Sequence, residues 1–172
     1  MIEDILGIKP QIGEGVFVAP TAAVIGDVVI GDGSSVWYSA VIRGDVNKIR
    51  IGRNVSVQDG CVLHTSGGDA YIEIGDNVTI GHNVTLHGCK IASNVLIGMG
   101  STVLDNAVVE AGSVVAAGAL VLSRTHIPSG ELWGGVPAKF IKKITPEAAE
   151  RIIARGPKNY EYWTNIYLQE NK

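Results

Sequence analysis

The chain has 172 residues, enough for one domain with a sizeable core. Hydrophobic residues make up 46% and charged ones 18%, which excludes a disordered chain, and no apolar run is long enough for a membrane-spanning helix. A formal net charge of -3, with acids in excess up to Val136 and bases in excess from Pro137, offers no general field for nucleic acid or an anionic membrane.

The first ten residues, Met1 to Pro10, place acids where a signal peptide needs a basic start, so a cytoplasmic location is expected. A six-residue period then takes over. Ile12, Val18, Val24, Ile30, Val36 and Ile42 fall six apart; after a short excess come Ile51, Val57 and Leu63, and after a longer one Ile74, Ile80 and Leu86. One residue is then missing, and Ile91, Ile97, Val103, Val109, Val115, Val121, Ile127 and Trp133 complete twenty slots. Two residues before most slots stands a second small or apolar side chain, Cys61 and Cys89 among them. The two cysteines have no metal-ligand spacing of their own and are expected to be buried wall residues, not a disulfide.

A period of six fits neither the 3.6 residues of an α-helix nor a plain hairpin meander. It suits a parallel β-helix in which each hexapeptide makes one short side and three sides make one coil. Twenty slots predict nearly seven coils over residues 1–136, a prism about 30 Å tall at about 4.8 Å per coil. Glycines that directly follow slots, such as Gly31 and Gly98, and others such as Gly15 and Gly33, suit corners or close backbone approach.

From Pro137 to Lys172 the period is lost, and a helical tail is predicted. Thr145, Pro146 and Glu147 read as N-cap, N1 and first-turn acid of a helix through about Arg155; Gly156-Pro157 breaks it, and a second helix runs from about Lys158 to Gln169. Ile152, Tyr160, Trp163 and Tyr167 are expected to pack this tail on the prism. The run Lys139, Lys142 and Lys143 reads as a solvated approach to the helix.

The slot count also arranges the histidines. His64 follows slot Leu63 and His87 follows slot Leu86, three slots later, so the two imidazoles stand one above the other about one strand spacing apart. That separation suits two ligands of one metal ion. Arg43 occupies the same column one coil earlier. His82 belongs to another column, above Asp59, while Gln58 lies beneath Gly81. A single prism therefore does not gather all three histidines, but a neighbour presenting its His82 column to this His64/His87 column would, and ring closure of that contact gives three equivalent interfacial sites. The alternative is that the histidines cover a wet surface or a metal-free interface. His126, in no matched column, is expected to be structural.

The phrases Val36-Trp37, Val41-Ile42-Arg43-Gly44-Asp45, Val55-Ser56-Val57-Gln58-Asp59, Leu63-His64-Thr65-Ser66, Ile80-Gly81-His82 and Leu86-His87-Gly88 resemble, in order, those of the γ-class carbonic anhydrase family. The resemblance covers Ile12 through Lys139. It implies an all-β, left-handed parallel β-helix, a homotrimer, and a metal at each interface held by His64, His82 and His87, with Zn²⁺ as the cofactor or Fe²⁺ or Co²⁺ in its place. It implies CO₂ and bicarbonate as substrate and product, with metal-bound water made acidic enough to attack CO₂. It pairs Arg43 with Asp45, sets Gln58 near the bound solvent with Asp59 beside it, and matches Tyr160 to a tyrosine lining the site; Asp69 or Glu73 is the carboxylate available to relay a proton. Three other readings stay open: a hexapeptide-repeat acyltransferase, suggested by the repeat and by Gly134 to Lys139; a metal-dependent acyl-CoA thioesterase; and an inactive scaffold that binds bicarbonate.

Overall fold

The computed structural model describes residues 1–170; the last two residues of the predicted tail, Asn171 and Lys172, lie outside the described residues. Residues up to Gly134 wind into a left-handed parallel β-solenoid of about seven turns. The register is the one the period predicts: every slot residue lies beside the slot residue three places on, from Ile12 beside Ile30 to Val115 beside Trp133. Inward apolar side chains, most of them β-branched, thus stack on one another down the axis. With the small residues two places earlier they form one continuous core, in which Ile30, Ile42, Leu63, Ile80, Leu86 and Ile97 are almost fully shielded from solvent.

Two of the three faces are joined where strands run round a corner without interruption, over Ala23–Ile30 and Val41–Ile51. The first excess in the period is absorbed inside the second of these strands, whereas the longer excess becomes the loop 65–71 between Val62–His64 and Ile72–Ile74. Corners three residues past a slot take the left-handed conformation, with Gly33 at φ +67°. Asparagine fills that corner as often: Asn54, Asn77, Asn83, Asn94 and Asn106 all have φ between 54° and 59°, a conformation their short polar side chains tolerate. Asn54 Nδ2 donates to Asn77 Oδ1 at 3.3 Å and Asn77 Nδ2 to Asn94 Oδ1 at 3.4 Å, a ladder up one edge.

The tail differs from expectation in four places. Lys139–Lys143 is solvated as expected, but it forms a strand, exposed throughout and antiparallel to Glu131–Gly134. The first helix starts as predicted, with Thr145 Oγ1 accepting from the Ala148 N–H at 3.3 Å and Pro146 in the first turn. It does not break at Gly156-Pro157, however: a π turn over Glu150–Ala154 leads directly into the helix Arg155–Glu170. Pro157 has no N–H for the ladder, and its ring crowds the carbonyl four residues back, at Ile153. Ile153 lies inside the wider π turn, which accommodates both.

The same turn sets which face of the tail is buried. Ile153 is covered while Ile152 is 44% exposed, and the buried stripe continues through Tyr160, Thr164 and Tyr167. Tyr160 and Tyr167 meet the Trp37 ring edge-on at 5.3 Å, and Phe17 packs 5.2 Å from both Trp37 and Tyr167. Trp163, predicted to pack on the prism, is half exposed and rests on Tyr162. Among the described residues no helix is long and apolar enough to cross a membrane.

A candidate metal centre on the histidine column

His64 ends the strand Val62–His64 and His87 ends Thr85–His87; the two are direct partners in the parallel ladder. Each follows an inward slot leucine, so its own side chain points out of the prism. Nδ1 of His64 and Nε2 of His87 approach to 3.3 Å, and the ring centroids lie 5.3 Å apart.

The other nitrogen of each ring is engaged by a carboxylate. His64 Nε2 lies 3.2 Å from Asp45 Oδ1, and His87 Nδ1 lies 2.7 Å from Asp105 Oδ1. Carboxylates only accept, so in the neutral rings the protons sit on the nitrogens facing Asp45 and Asp105. The lone pairs of His64 Nδ1 and His87 Nε2 are thereby left facing one another. Two lone pairs at this distance repel unless a cation lies between or beside them. Two nitrogens bound to one tetrahedral zinc at 2.0–2.1 Å are about 3.3–3.4 Å apart, so the pair fits a shared divalent metal.

Asp45 also forms the predicted ion pair with Arg43, which stands one coil below His64 in the same column. Burial pushes the Asp45 carboxyl upward, but hydrogen bonds from Arg43, its own backbone and His64 outweigh it and hold the group below the ordinary carboxylate value.

His82 is on the other column, as the register requires. Its Nδ1 lies 2.9 Å from Asp59 Oδ2, so this imidazole too has a carboxylate on one nitrogen and leaves Nε2 for another partner. Among the described residues, no three His, Cys, Asp or Glu side chains of this one chain gather as a metal-ligand set. Gln58, next to Asp59, is buried beneath Gly81. Tyr160 rises from the helix beside them; burial, with Asp59 adding to it, raises its phenol pKa, so it remains a neutral O–H donor. Trp37, Tyr38, Asp59, Tyr160 and Trp163 line an open cleft of about 470 Å³ on this side.

Sequence reasoning missed Asp105 and gave Ser66 no role. Asp105 follows slot Val103 by two and belongs to no motif; the signal was the register, which carries it to the corner next to Gly88 in the coil above. Ser66, in the loop 65–71, donates to Asp105 Oδ2 at 3.1 Å, and Asp69 of the same loop accepts from Asn106 Nδ2 at 3.3 Å. Glu73 is elsewhere, between Arg50 and Lys90 on another strand column. His126 pairs with Glu110 at 2.7 Å, far along the axis from the histidine column.

Fold and site together define a hexapeptide-repeat β-solenoid carrying carboxylate-braced histidines on its outer faces. Residues 9–44 and 88–123 match the family model described as bacterial transferase hexapeptide, six repeats. The chain is 48% identical over 168 residues to γ carbonic anhydrase 2, mitochondrial, of Arabidopsis thaliana, covering 95% of this chain but 60% of that protein. It is 43% identical to a carbonic anhydrase of Geobacillus kaustophilus over 98% of this chain and 94% of the relative. A crystal structure of a hexapeptide transferase family protein from Anaplasma phagocytophilum superposes with a TM-score of 0.91 at 42% identity, covering 97% of this chain and 98% of that one. The chain belongs to the γ-class carbonic anhydrase-like family of hexapeptide-repeat proteins. It spans about 60% of the length of its mitochondrial plant relatives.

Proposed function

We propose that the protein is a metal-dependent enzyme that reversibly hydrates CO₂ to bicarbonate, working as a homotrimer. Its metal is Zn²⁺, with Fe²⁺ or Co²⁺ as alternatives, because imidazole nitrogens suit all three. The observation that carries this reading is the His64/His87 pair, whose carboxylate partners turn two lone pairs toward one point. Relatives named as carbonic anhydrases across nearly the whole chain support the reaction. The third ligand is His82 of a neighbouring copy, since this chain holds its own His82 on a separate column.

When bound, the metal supplies the Lewis acidity that makes water a nucleophile near neutral pH. The chain's residues supply the rest. Asp45 and Asp59 hold the tautomers of His64 and His82 so that their free nitrogens accept the ion. Arg43 keeps Asp45 ionised and in place. Gln58 offers a buried amide to orient the attacking water or CO₂, and the neutral Tyr160 phenol offers an O–H to a bicarbonate oxygen. Asp69, which accepts from Asn106 in the loop that follows His64, is the carboxylate that would pass the released proton to solvent.

A second reaction at the same centre, hydrolysis of an acyl thioester, is favoured by one observation: the aromatic cleft beside Asp59 is far larger than CO₂ requires.

The test is stopped-flow CO₂ hydration on zinc-loaded and metal-stripped protein, with zinc per chain measured in the same preparation. Turnover that follows zinc content up to about one ion per chain, the number expected when each interface of a trimer holds one, is the predicted result. Full zinc occupancy with no hydration, but with cleavage of an acyl-CoA, favours the second reading.

A further inference from the structure

The geometry points to Asp105, braced by Ser66, as a positioning residue that selects the metal-binding tautomer of His87. This inference rests on the metal centre proposed above and assigns a residue that no motif marks.

His87 takes its carboxylate from the coil above it, whereas His64 takes Asp45 from the coil below. The residue after it is Gly88, at φ +54°, where the chain turns early because the period is one residue short. The register of Leu86 beside Val103 then sets the corner of the next coil beside Gly88 and the ring. Asp105 projects from that corner, and its Oδ1 meets His87 Nδ1 at 2.7 Å, a charge-assisted bond shorter than the 3.2 Å contact between Asp45 and His64. A hypothetical Cβ on Gly88 would come within 2.3 Å of Asp105 Oδ1, so the glycine also clears the space in which the carboxylate sits.

The second carboxylate oxygen is occupied as well. Ser66 donates to Oδ2 at 3.1 Å from the loop 65–71, which begins just after His64. With Oδ2 held by the serine hydroxyl, the carboxylate cannot swing away and Oδ1 stays on the imidazole. One loop thereby joins the two histidines: it leaves the strand of His64 and grips the group that sets the proton on His87. Without that acceptor, neutral imidazole places its proton on either nitrogen, and the Nε2–H form presents a donor to the ion.

The role predicts a specific pattern among variants. Asp105→Ala removes the acceptor; zinc affinity, measured by competition with a chromophoric chelator, falls about 10- to 100-fold. Asp105→Asn, whose amide oxygen still accepts from Nδ1 while its NH₂ meets the Ser66 hydroxyl, stays within a few fold of wild type. Ser66→Ala, with Asp105 intact, gives a smaller loss than Asp105→Ala. Long-range ¹H–¹⁵N spectra of the metal-free protein read the tautomer directly: His87 is the Nδ1–H form in wild type and in Asp105→Asn, and shifts to Nε2–H in Asp105→Ala. Circular dichroism confirms that each variant is folded.

Wild-type protein that takes up no zinc overturns the metal centre itself. Wild-type protein that binds zinc, with an Asp105→Ala variant that binds it equally well or keeps the Nδ1–H form, leaves the metal centre standing and overturns the role of Asp105.

Discussion

Each histidine of the candidate centre gives one nitrogen to a carboxylate: His64 to Asp45, His82 to Asp59 and His87 to Asp105. Imidazole alone does not hold its proton on the nitrogen turned away from a metal, so a site that needs three free nitrogens must fix three protons elsewhere. The cysteines show the opposite use of environment. Cys61 and Cys89 sit in the wall where a small apolar residue is required, and burial pushes their thiols up to about 11 and about 12. Raised values leave almost no thiolate at pH 8, so both thiols are expected to react with a disulfide reagent only after unfolding, as a time course with and without denaturant will show. Rapid labelling of the native protein would contradict their place in the core.

Among the elements, the helix Arg155–Glu170 approaches the prism closely at Gly156. A Cβ on Gly156 would stand 2.3 Å from Thr79 Oγ1, which is buried on the prism face. Gly156→Ala therefore lifts the helix from the wall; the expected cost is about 1–3 kcal/mol, seen as a lowered melting temperature and a changed near-ultraviolet signal from Trp37 and Tyr160. The sequence made the solenoid legible because stacked slots repeat one physical requirement, an inward β-branched residue, down the whole axis. It also made the His64/His87 column legible, since that column follows from counting slots. The tail was harder to read. Gly156-Pro157 is a strong local breaker, and only the π turn beside it, set by packing Ile153 against the wall, reverses the preference. The strand Lys139–Lys143 has no inward alternation, being exposed throughout, and takes its form from pairing with Glu131–Gly134. Asp105 was hidden for a related reason: it acts across coils from a corner that no motif marks, and only its register beside Gly88 connects it with His87.

At the scale of the whole molecule, a prism with two histidines on one column and one on another can complete a three-histidine site only by meeting a copy of itself. A ring built that way gives a complementation test. Chains carrying His82→Ala and chains carrying both His64→Ala and His87→Ala are each expected to lack CO₂ hydration. Unfolded together in equal amounts and refolded, they form mixed trimers, each with one interface that has every ligand. About a quarter of wild-type activity should return, because three in four randomly assembled trimers are mixed and each has one intact site of three. No recovery in trimers shown to be mixed would place all three ligands within one chain.

The strand Lys139–Lys143 has a further consequence. A stack of identical coils has no intrinsic length, because the last coil offers the next chain the same unpaired N–H and C=O groups that received it. Here one face of the final coil is covered by a strand running the opposite way, and its outer edge carries Lys139, Lys142 and Lys143, whose like charges repel a second copy approaching edge to edge there. Reversing direction and charging the edge turn an open-ended repeat into a particle of fixed size, one that stays discrete where an uncapped stack of the same coils would grow into a fibre.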